Sequence, residues 1–356
     1  MSVKNLAYKT DSRKRNALYD NVKYLLILLV IIGHMIEPYA EPSVEGHDDI
    51  RYLFLMIYMF HMPLFYFISG LFQKKFSKER GIPWNKVLNL LIIFYLYKCL
   101  NYVRNIIIEK PSAFHFFWED GIPWFVFVMA AFLILMYLFR KVPPVILIPV
   151  NIVIVCIAGY FVEIGDMLCI SRILVYFPFY VLGYHLTPEQ VLKFTRHKVI
   201  RPLCILALVG VCLLCVWKFD FIYPLRHLFT GRNPFNEWDY EHGTWRLRLL
   251  CYLLTSIEGL GVIALLPNVK IPLFSWIGQQ TMRIYFWHLI FIKILLFKGF
   301  GDWLVSLGNL QYPAYLLAGI FFTIIFSLPI FGIPTDYVMK WKLLPMKDRK
   351  KRKKSS

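Results

Sequence analysis

Ten apolar runs, separated by mostly short polar segments, dominate the pattern of hydrophobic and polar residues along the chain. A helix needs about 20 apolar residues to span a bilayer. The pattern therefore predicts an all-α integral membrane protein with about ten transmembrane helices, the sixth short and the tenth long. The runs cover approximately 21–39, 51–72, 87–108, 122–140, 142–162, 171–187, 200–220, 246–266, 281–298 and 311–338.

Basic residues are distributed unequally between the two sides that ten crossings define. The side that holds both termini carries 26 Lys and Arg residues in its connections and tails, and the other side carries six. Basic loops stay in the cytoplasm, so both termini are expected there, and we expect no cleaved signal peptide before the first run. This predicts a cytoplasmic tail over 1–20, a transmembrane domain over 21–338 with an outer loop at about 219–245, and a basic cytoplasmic tail over 339–356.

Composition excludes a water-soluble body of this size. The chain is 58% hydrophobic and only 17% charged, whereas soluble domains average about 25% charged residues. The net charge of +18 clusters beside apolar runs and is accompanied by no nucleic-acid motif. We therefore expect membrane lipids as partners, with the basic run 347–354 touching anionic head groups, and no nucleic acid. The seven cysteines lie almost all within apolar runs and are interpreted as structural.

The first apolar run carries ionisable residues on one face. At 100° per residue, Asp20, Lys23 and His34 share a face, while Leu, Ile and Val fill the positions between them. Ionisable side chains within a membrane are costly and are functional candidates by default. Gly33 lets another group approach closely, and Glu37, one turn beyond His34, can orient the imidazole.

A second histidine, His61, lies at a similar expected depth in the second run. Pro63 follows it and bends the helix by freeing a carbonyl in the preceding turn. Ser69 and Gly70 then open the inner end of this helix. His61 has two interpretations, an interhelical hydrogen bond or contact with a ligand.

The chemistry that fits a buried histidine best is general base catalysis on an acceptor hydroxyl, since its unperturbed pKa of about 6.5 suits proton transfer. The chain has no HExxH, HxxxH or paired Cys/His spacing, so no metal is expected. It also lacks the G-x-S-x-G elbow of serine hydrolases. Several cations near the inner end of the first helices could hold donor phosphates or could serve topology alone; they are Lys14, Arg15, Lys23, Lys74, Lys75, Arg80 and Lys86.

The outer loop at 219–245 is rich in aromatic and charged residues, including Arg226, Arg232, Trp238, Tyr240 and His242. Long loops in compact domains are often functional. A sugar-facing lid would use such residues, because aromatic faces pack on sugar rings. The alternative is an exposed loop with an interfacial aromatic belt.

These motifs together resemble the acyltransferase 3 family, the membrane acyltransferases that modify cell-surface polysaccharides. The resemblance lies in Asp20-Asn-Val-Lys23 leading to Gly33-His34, and in Phe60-His61-Met-Pro-Leu-Phe-Tyr-Phe-Ile-Ser69-Gly70. It extends to Pro123-Trp124, to the segment from Arg172 to Gly183-Tyr184, and to the segment from Phe274 to His288. The most similar branch contains fucose 4-O-acetylase-like and capsular O-acetyltransferases.

The resemblance implies a ten-helix enzyme of the cell membrane. It would take acetyl from cytoplasmic acetyl-CoA and pass it to a hydroxyl of a polysaccharide or its lipid-linked precursor. His34 matches the catalytic histidine of the family, and we place Asp20 with it. Donor-binding candidates are Arg15, Lys23, Arg80 and Lys86, with the RxxR-type element of the family only loosely matched at 74–80. Acceptor-binding candidates are His61, Ser69, Trp124, Arg172 and His288.

Two other classes of protein remain open at this point. A secondary transporter or exporter of a lipid-linked sugar would also place ionisable residues within the membrane, although the chain shows no internal repeat. A membrane scaffold gives no reason for an Asp–Lys–His face. The sequence leaves open the acceptor sugar, the choice between direct transfer and an acyl-enzyme, any protein partner and the oligomeric state.

Overall fold

A computed structural model describes residues 16–41, 44, 47–73, 81–110, 113–117, 123–161, 163–165, 167–232, 234–235 and 244–344. Within these ranges the chain forms α-helices joined by turns and short 3-10 segments. The helices are α1 Ala17–Ile36, α2 Asp48–Leu71, α3 Trp84–Ile107, α4 Trp124–Leu138, α5 Pro144–Ala158, α6 Ile170–His185, α7 Pro188–Thr195, α8 Ile200–Trp217, α9 Phe219–Ile222, α10 Arg226–Phe229, α11 Trp245–Leu265, α12 Pro272–Ile277, α13 Thr281–Phe297, α14 Phe300–Ser306, α15 Gln311–Ser327 and α16 Thr335–Val338.

Each of the ten apolar runs contains one long helix. Six helices of the described chain are long and apolar enough to cross a membrane, namely α1, α2, α3, α8, α11 and α15. The remaining four, α4, α5, α6 and α13, are 15, 15, 16 and 17 residues long. The all-helical membrane class is therefore confirmed, while the count of ten crossings stays a prediction.

The structure departs from the expected bounds at both ends of the domain. The first helix begins at Ala17 rather than at 21, because the side chain of Asn16 accepts a hydrogen bond from the Leu18 amide at 3.0 Å and caps the helix. The tenth run is not one helix to residue 338. It ends at Ser327, since Pro329 and Pro334 each lack an amide donor, and it resumes only as the short α16.

Segments expected on the same side of the membrane meet at the same end of the bundle. At one end, the Leu18 amide also donates to Asn268, and the side chain of Asn89 donates to the carbonyl of Trp341. At the other end, the Tyr39 hydroxyl donates to Asp302 at 2.6 Å. The fold thus supports the two groups of connections, and which group faces the cytoplasm stays a prediction from charge.

Large apolar side chains cover much of the outer surface of the bundle. On α8, Leu206, Leu213 and Trp217 are 67%, 64% and 74% exposed. In water such a surface would be unstable, whereas in lipid it is the expected outer layer of a membrane helix. Helices α1 and α2 are instead mostly buried and form the centre of the fold.

Helix α2 is held by two close contacts. A Cβ atom on Gly70 would lie 2.2 Å from the Tyr180 carbonyl oxygen, and one on Gly183 would lie 2.0 Å from the Phe67 oxygen. Only glycine permits α2 and α6 to cross so closely. Higher in α2, Pro63 cannot donate to the Met59 carbonyl, and the Thr255 hydroxyl of α11 donates to that carbonyl at 2.7 Å. The carbonyl that Pro63 leaves without its helical donor is thus satisfied by a neighbouring helix.

Candidate active site

A cavity of about 440 Å³ lies between the helices. Pockets that bind small molecules commonly measure about 300–1,000 Å³. Its wall extends from Lys23, Gln73 and Lys86, at the end of the bundle where α1 begins, to Arg226 and Arg232 of the opposite end. The same interior space therefore extends from one end of the bundle toward the other.

Most of the predicted site residues that the structure describes line this one cavity. They are Lys23, His34, His61, Ser69, Lys86, Trp124, Arg172 and His288. Arg15 and Arg80 lie outside the described residues. Asp20 is described but does not line the cavity.

Asp20 instead supports Lys23, at the end of the cavity where α1 begins. Its carboxylate lies 2.9 Å from the Lys23 ammonium, and Asp20 is only 4% exposed. The first turns of α1 pack closely against the residue after α12, since a Cβ atom on Gly278 would lie 2.1 Å from the Asp20 carbonyl oxygen. Asn21 donates there to the carbonyls of Pro267 and Val269. Asp20 thus orients Lys23 and lies about 21 Å of helix rise from His34.

His34 lies in the last turn of α1, about 26 Å from Ala17 at 1.5 Å per residue. His34 is thus further from the start of the helix than a start at residue 21 would place it, because α1 begins at Ala17. Its Nδ1 is 3.3 Å from Glu37 Oε2, and the Lys293 ammonium lies 2.9 Å from the same oxygen. A carboxylate can only accept, so Nδ1 carries the proton and Nε2 is left as the basic nitrogen.

Tyr58 packs against His34 from the neighbouring helix. Its hydroxyl lies 3.4 Å from His34 Nδ1. A Cβ on Gly33 would lie 3.0 Å from the Tyr58 ring, so the close approach expected at Gly33 is made by this side chain. Tyr58 also packs edge-on against His61, with ring centres 5.0 Å apart.

His61 and His288 are held in one tautomer by their own helices. His61 Nδ1 lies 2.7 Å from the Ile57 carbonyl, and His288 Nδ1 lies 2.8 Å from the Tyr285 carbonyl. Because carbonyl oxygens only accept, each Nδ1 donates and each Nε2 is an acceptor. The bond of His61 is therefore within its own helix and is not the interhelical contact considered from sequence. The rings of His34 and His288 are 5.5 Å apart.

Aromatic and basic side chains form the wall beyond the histidines. The Trp124 and Tyr176 rings stack at 5.6 Å, and the Arg172 guanidinium lies 5.0 Å from the Trp124 ring centre. Such flat aromatic surfaces suit the face of a sugar ring, and arginine donates to its oxygens.

The described part of the outer loop is helical and closes this end of the cavity. Arg248, 1% exposed, donates to the carbonyls of Leu228 and Arg232. The hydroxyls of Ser171 and Tyr176 donate to Gly231 and Phe229 in the same segment. Trp238, Tyr240 and His242 lie outside the described residues.

His227 of this segment also lines the cavity. Burial, together with the neighbouring Arg226 and Arg232, lowers the pKa of His227 from 6.5 to about 3. It therefore remains neutral near pH 7 and contributes a polar imidazole without charge. No group of three His, Cys, Asp or Glu side chains in the described ranges is placed to hold a metal ion.

Several residues of the site were not identified from sequence. Tyr58, Gln73 and Tyr285 line the cavity but carry no local signal among so many polar and aromatic residues. Lys293 and Arg248 could have been recognised, because both are ionisable residues within apolar runs. Their partners are distant in sequence, so their roles become visible only in the fold.

The comparison with known families decides the identity of this domain. Residues 16–332 match the family model of the acyltransferase 3 family, which is described as an acyltransferase domain. The chain belongs to the acyltransferase 3 family. The resemblance expected from the motifs at His34 and His61 is therefore confirmed, and the matched region is an acyltransferase domain.

Two curated relatives are similar to parts of this family member. The nodulation protein NolL of Sinorhizobium fredii is 28% identical over 240 residues, which cover 60% of each chain. NolL of Mesorhizobium japonicum is 37% identical over 76 residues, which cover 20% of each chain. The chain thus matches about 60% of the length of the first relative. No solved structure matches.

Proposed function

We propose that this protein is a membrane O-acyltransferase that moves an acetyl group from acetyl-CoA to a hydroxyl of a polysaccharide or its lipid-linked precursor. The observation that carries the proposal is the position of His34. It lines a cavity that opens toward cationic side chains at one end, while Glu37 fixes its Nδ1 proton.

In this mechanism His34 Nε2 takes the proton of the acceptor hydroxyl as its oxygen attacks the thioester carbonyl. A carbon–oxygen bond forms, and the carbon–sulfur bond breaks as the tetrahedral intermediate collapses. The sulfur of CoA leaves with the proton that His34 had taken. His34 returns to its basic form, and Glu37 stabilises the imidazolium in between.

The donor is assigned to the end of the cavity at Lys23 and Lys86. Ammonium groups at this position suit the phosphates of CoA, and the Asp20 carboxylate holds Lys23 in place. Lys86 is fixed by donation to the Gln73 side chain at 2.8 Å. Arg15 and Arg80 complete the proposed donor group. The charge asymmetry of the connections supports a cytoplasmic location for this end, in a multi-pass protein of the cell membrane.

The acceptor is assigned to the opposite end. Trp124, Tyr176 and Arg172 offer a sugar an aromatic surface and guanidinium donors, in the cavity that His61 and His288 also line. Ser69, predicted with them, lines the same cavity but lies near the inner end of α2, on the donor side, so its place with the acceptor stays a prediction. The acyl group then crosses the bilayer within the protein while CoA remains on its own side.

The test compares the O-acetyl signals in the NMR spectrum of the surface glycan from cells that express the wild type, His34→Gln or His197→Gln. His197 is exposed and lies outside the cavity lining, so it is the matched control. We expect acetylation to be lost in His34→Gln alone, at equal protein levels in the membrane. Full acetylation in that variant would refute the mechanism.

A second measurement separates this function from that of a sugar exporter. We expect purified protein to bind acetyl-CoA, with weaker binding when Lys23 and Lys86 are both changed to Met. A transporter of lipid-linked sugar has no need of this ligand, so absence of binding would favour the transporter.

A further inference from the structure

His288 is a buried histidine of the cavity lining, and one of its ring nitrogens has no partner among the described residues. The residue is 0% exposed, and its Nδ1 donates to the carbonyl oxygens of Tyr285 and Ile284 at 2.8 and 3.1 Å. His288 is one of the residues that line the cavity, and with Nδ1 bonded to its own helix, Nε2 is the ring nitrogen left for a ligand. Among the described residues, Nε2 has no hydrogen-bond partner.

A buried acceptor without a donor is costly, so a ligand group that donates is expected at this nitrogen. The tautomer is fixed, which excludes a ligand oxygen that only accepts, such as that of an ester, a phosphate or a carboxylate. The donor must be an O–H or an N–H group. His288 therefore discriminates between ligands by the type of polar group that they present.

The position of His288 identifies which ligand supplies this donor. Its ring centre is 5.5 Å from that of His34, so it lies beside the reacting atoms. At that point the acetyl thioester presents a methyl group, a carbonyl oxygen and a sulfur, none of which donates. The acceptor presents hydroxyls, and one of them is already bound to His34.

We infer that His288 accepts a hydrogen bond from a second hydroxyl of the acceptor, on the carbon next to the one that is acetylated. This inference rests on the proposed function. An O–H donor lies about 2.8 Å from the atom that accepts from it. Two neighbouring imidazoles can therefore share the two oxygens of one vicinal diol, the first as base and the second as a fixed acceptor. The enzyme then selects acceptors with a vicinal diol and rejects those in which the second hydroxyl is removed or alkylated.

The test compares the rates of two enzymes, wild type and His288→Phe, with two kinds of acceptor, as in a double-mutant cycle. Wild type and His288→Phe, purified in lipid nanodiscs, receive acetyl-CoA and a panel of methyl hexopyranosides, each with a monodeoxy partner that lacks a hydroxyl beside the acetylated carbon. For the wild type we expect kcat/KM to be about 10- to 100-fold lower with the deoxy acceptor. His288→Phe should cause a similar loss with the diol and little further loss with the deoxy acceptor, because both changes remove the same hydrogen bond.

Two further variants separate a contact from a structural role. His288→Gln retains an acceptor on a side chain of similar reach, so it should recover part of the discrimination that His288→Phe loses. His197→Phe, a change at an exposed histidine, should leave kcat/KM unchanged with both the diol and the deoxy acceptor. The deoxy comparison with the wild type needs no mutation, so it tests the inference even if His288→Phe fails to fold.

Three outcomes would overturn the inference. Equal rates with diol and deoxy acceptors would exclude a second hydroxyl contact. A higher KM for acetyl-CoA in His288→Phe, with the discrimination retained, would assign Nε2 to an amide N–H of the donor. Absence of transfer to any hydroxyl by the wild type would refute the proposed function and this inference with it, whereas the first two outcomes leave that function in place.

Discussion

Replacing Glu37 with Gln tests whether the Glu37 carboxylate, which contacts His34, takes part in catalysis. In the wild type, Glu37 Oε2 accepts from His34 Nδ1 at 3.3 Å and is paired with Lys293 at 2.9 Å. The amide of Gln is nearly the same size but carries no charge, and it can present its NH₂ group to Nδ1. The imidazolium that forms during transfer then loses its stabilising neighbour.

The geometry sets the size of the effect. A hydrogen bond to a charged group contributes about 1.5–3 kcal/mol. The distance of 3.3 Å is long for a charge-assisted bond, and the Glu37 side chain is 36% exposed, so solvent weakens the interaction. We therefore take the lower end, about 1.5 kcal/mol, which corresponds to a roughly tenfold lower kcat. This is far less than the loss of about 10⁴ seen when a buried triad carboxylate is neutralised.

The assay is the initial rate of acetyl transfer at saturating acetyl-CoA. Glu37→Gln should lower kcat about tenfold, and Lys293→Met, which leaves the carboxylate in place, should lower it less. Glu189→Gln and Lys298→Met change exposed residues and serve as matched controls. A kcat for Glu37→Gln within twofold of the wild type, as for the controls, would refute the view that Glu37 supports His34.

Three further predictions concern other parts of the structure. Lys23→Met and Lys86→Met should each raise the KM for acetyl-CoA by about 3- to 10-fold, because each variant loses one charge contact to phosphate. Lys193→Met, at an exposed position, is the control, and an unchanged KM in the Lys23 and Lys86 variants would place the donor site elsewhere. Gly70→Ala should destabilise the fold by about 1–3 kcal/mol or more, because the new methyl group meets the Tyr180 backbone. Gly210→Ala is the control; its methyl group has no atom within 4 Å, so it should be neutral or stabilising. Equal melting temperatures of the two variants in thermal unfolding would contradict the close packing at Gly70. The pKa of His227 is about 3 in the folded chain, against about 6.5 in the unfolded chain. Between these two pH values only the unfolded chain binds this proton, so the free energy of unfolding falls as the pH drops from 6.5 toward 3. His227→Gln should reduce this acid-dependent loss in unfolding measured against pH, and an identical loss would contradict the assigned burial.

The sequence predicted the positions of the helices well because apolar runs of this length leave few alternatives to a membrane helix. Hydropathy places the start of α1 four residues late, since the cap at Asn16 is a local hydrogen bond that hydropathy does not report. The end of the tenth run was extended too far, although Pro329 and Pro334 could have indicated the break. These differences all concern helix ends, which depend on backbone hydrogen bonding rather than on hydrophobicity.

The candidate site was predictable in part. His34, Lys23 and His61 could be grouped from the helical wheel and from expected depth, and the cavity brings them together. Asp20 shares the face of His34 on the wheel, but its distance along the axis leaves it beside Lys23. The contact of Glu37 with Lys293 joins positions 256 residues apart, and no periodicity of the chain reports such a pairing.

The central proposal is that His34 acts as the base when acetyl passes from acetyl-CoA to a glycan hydroxyl. The most direct measurement is the transfer of radiolabelled acetyl from acetyl-CoA to glycan extracted from cells that lack the protein, with wild type, His34→Gln or His197→Gln reconstituted in lipid vesicles. We predict label in the glycan with the wild type and His197→Gln, and none above background with His34→Gln. Undiminished labelling with His34→Gln, or no labelling with the wild type, would contradict the claim.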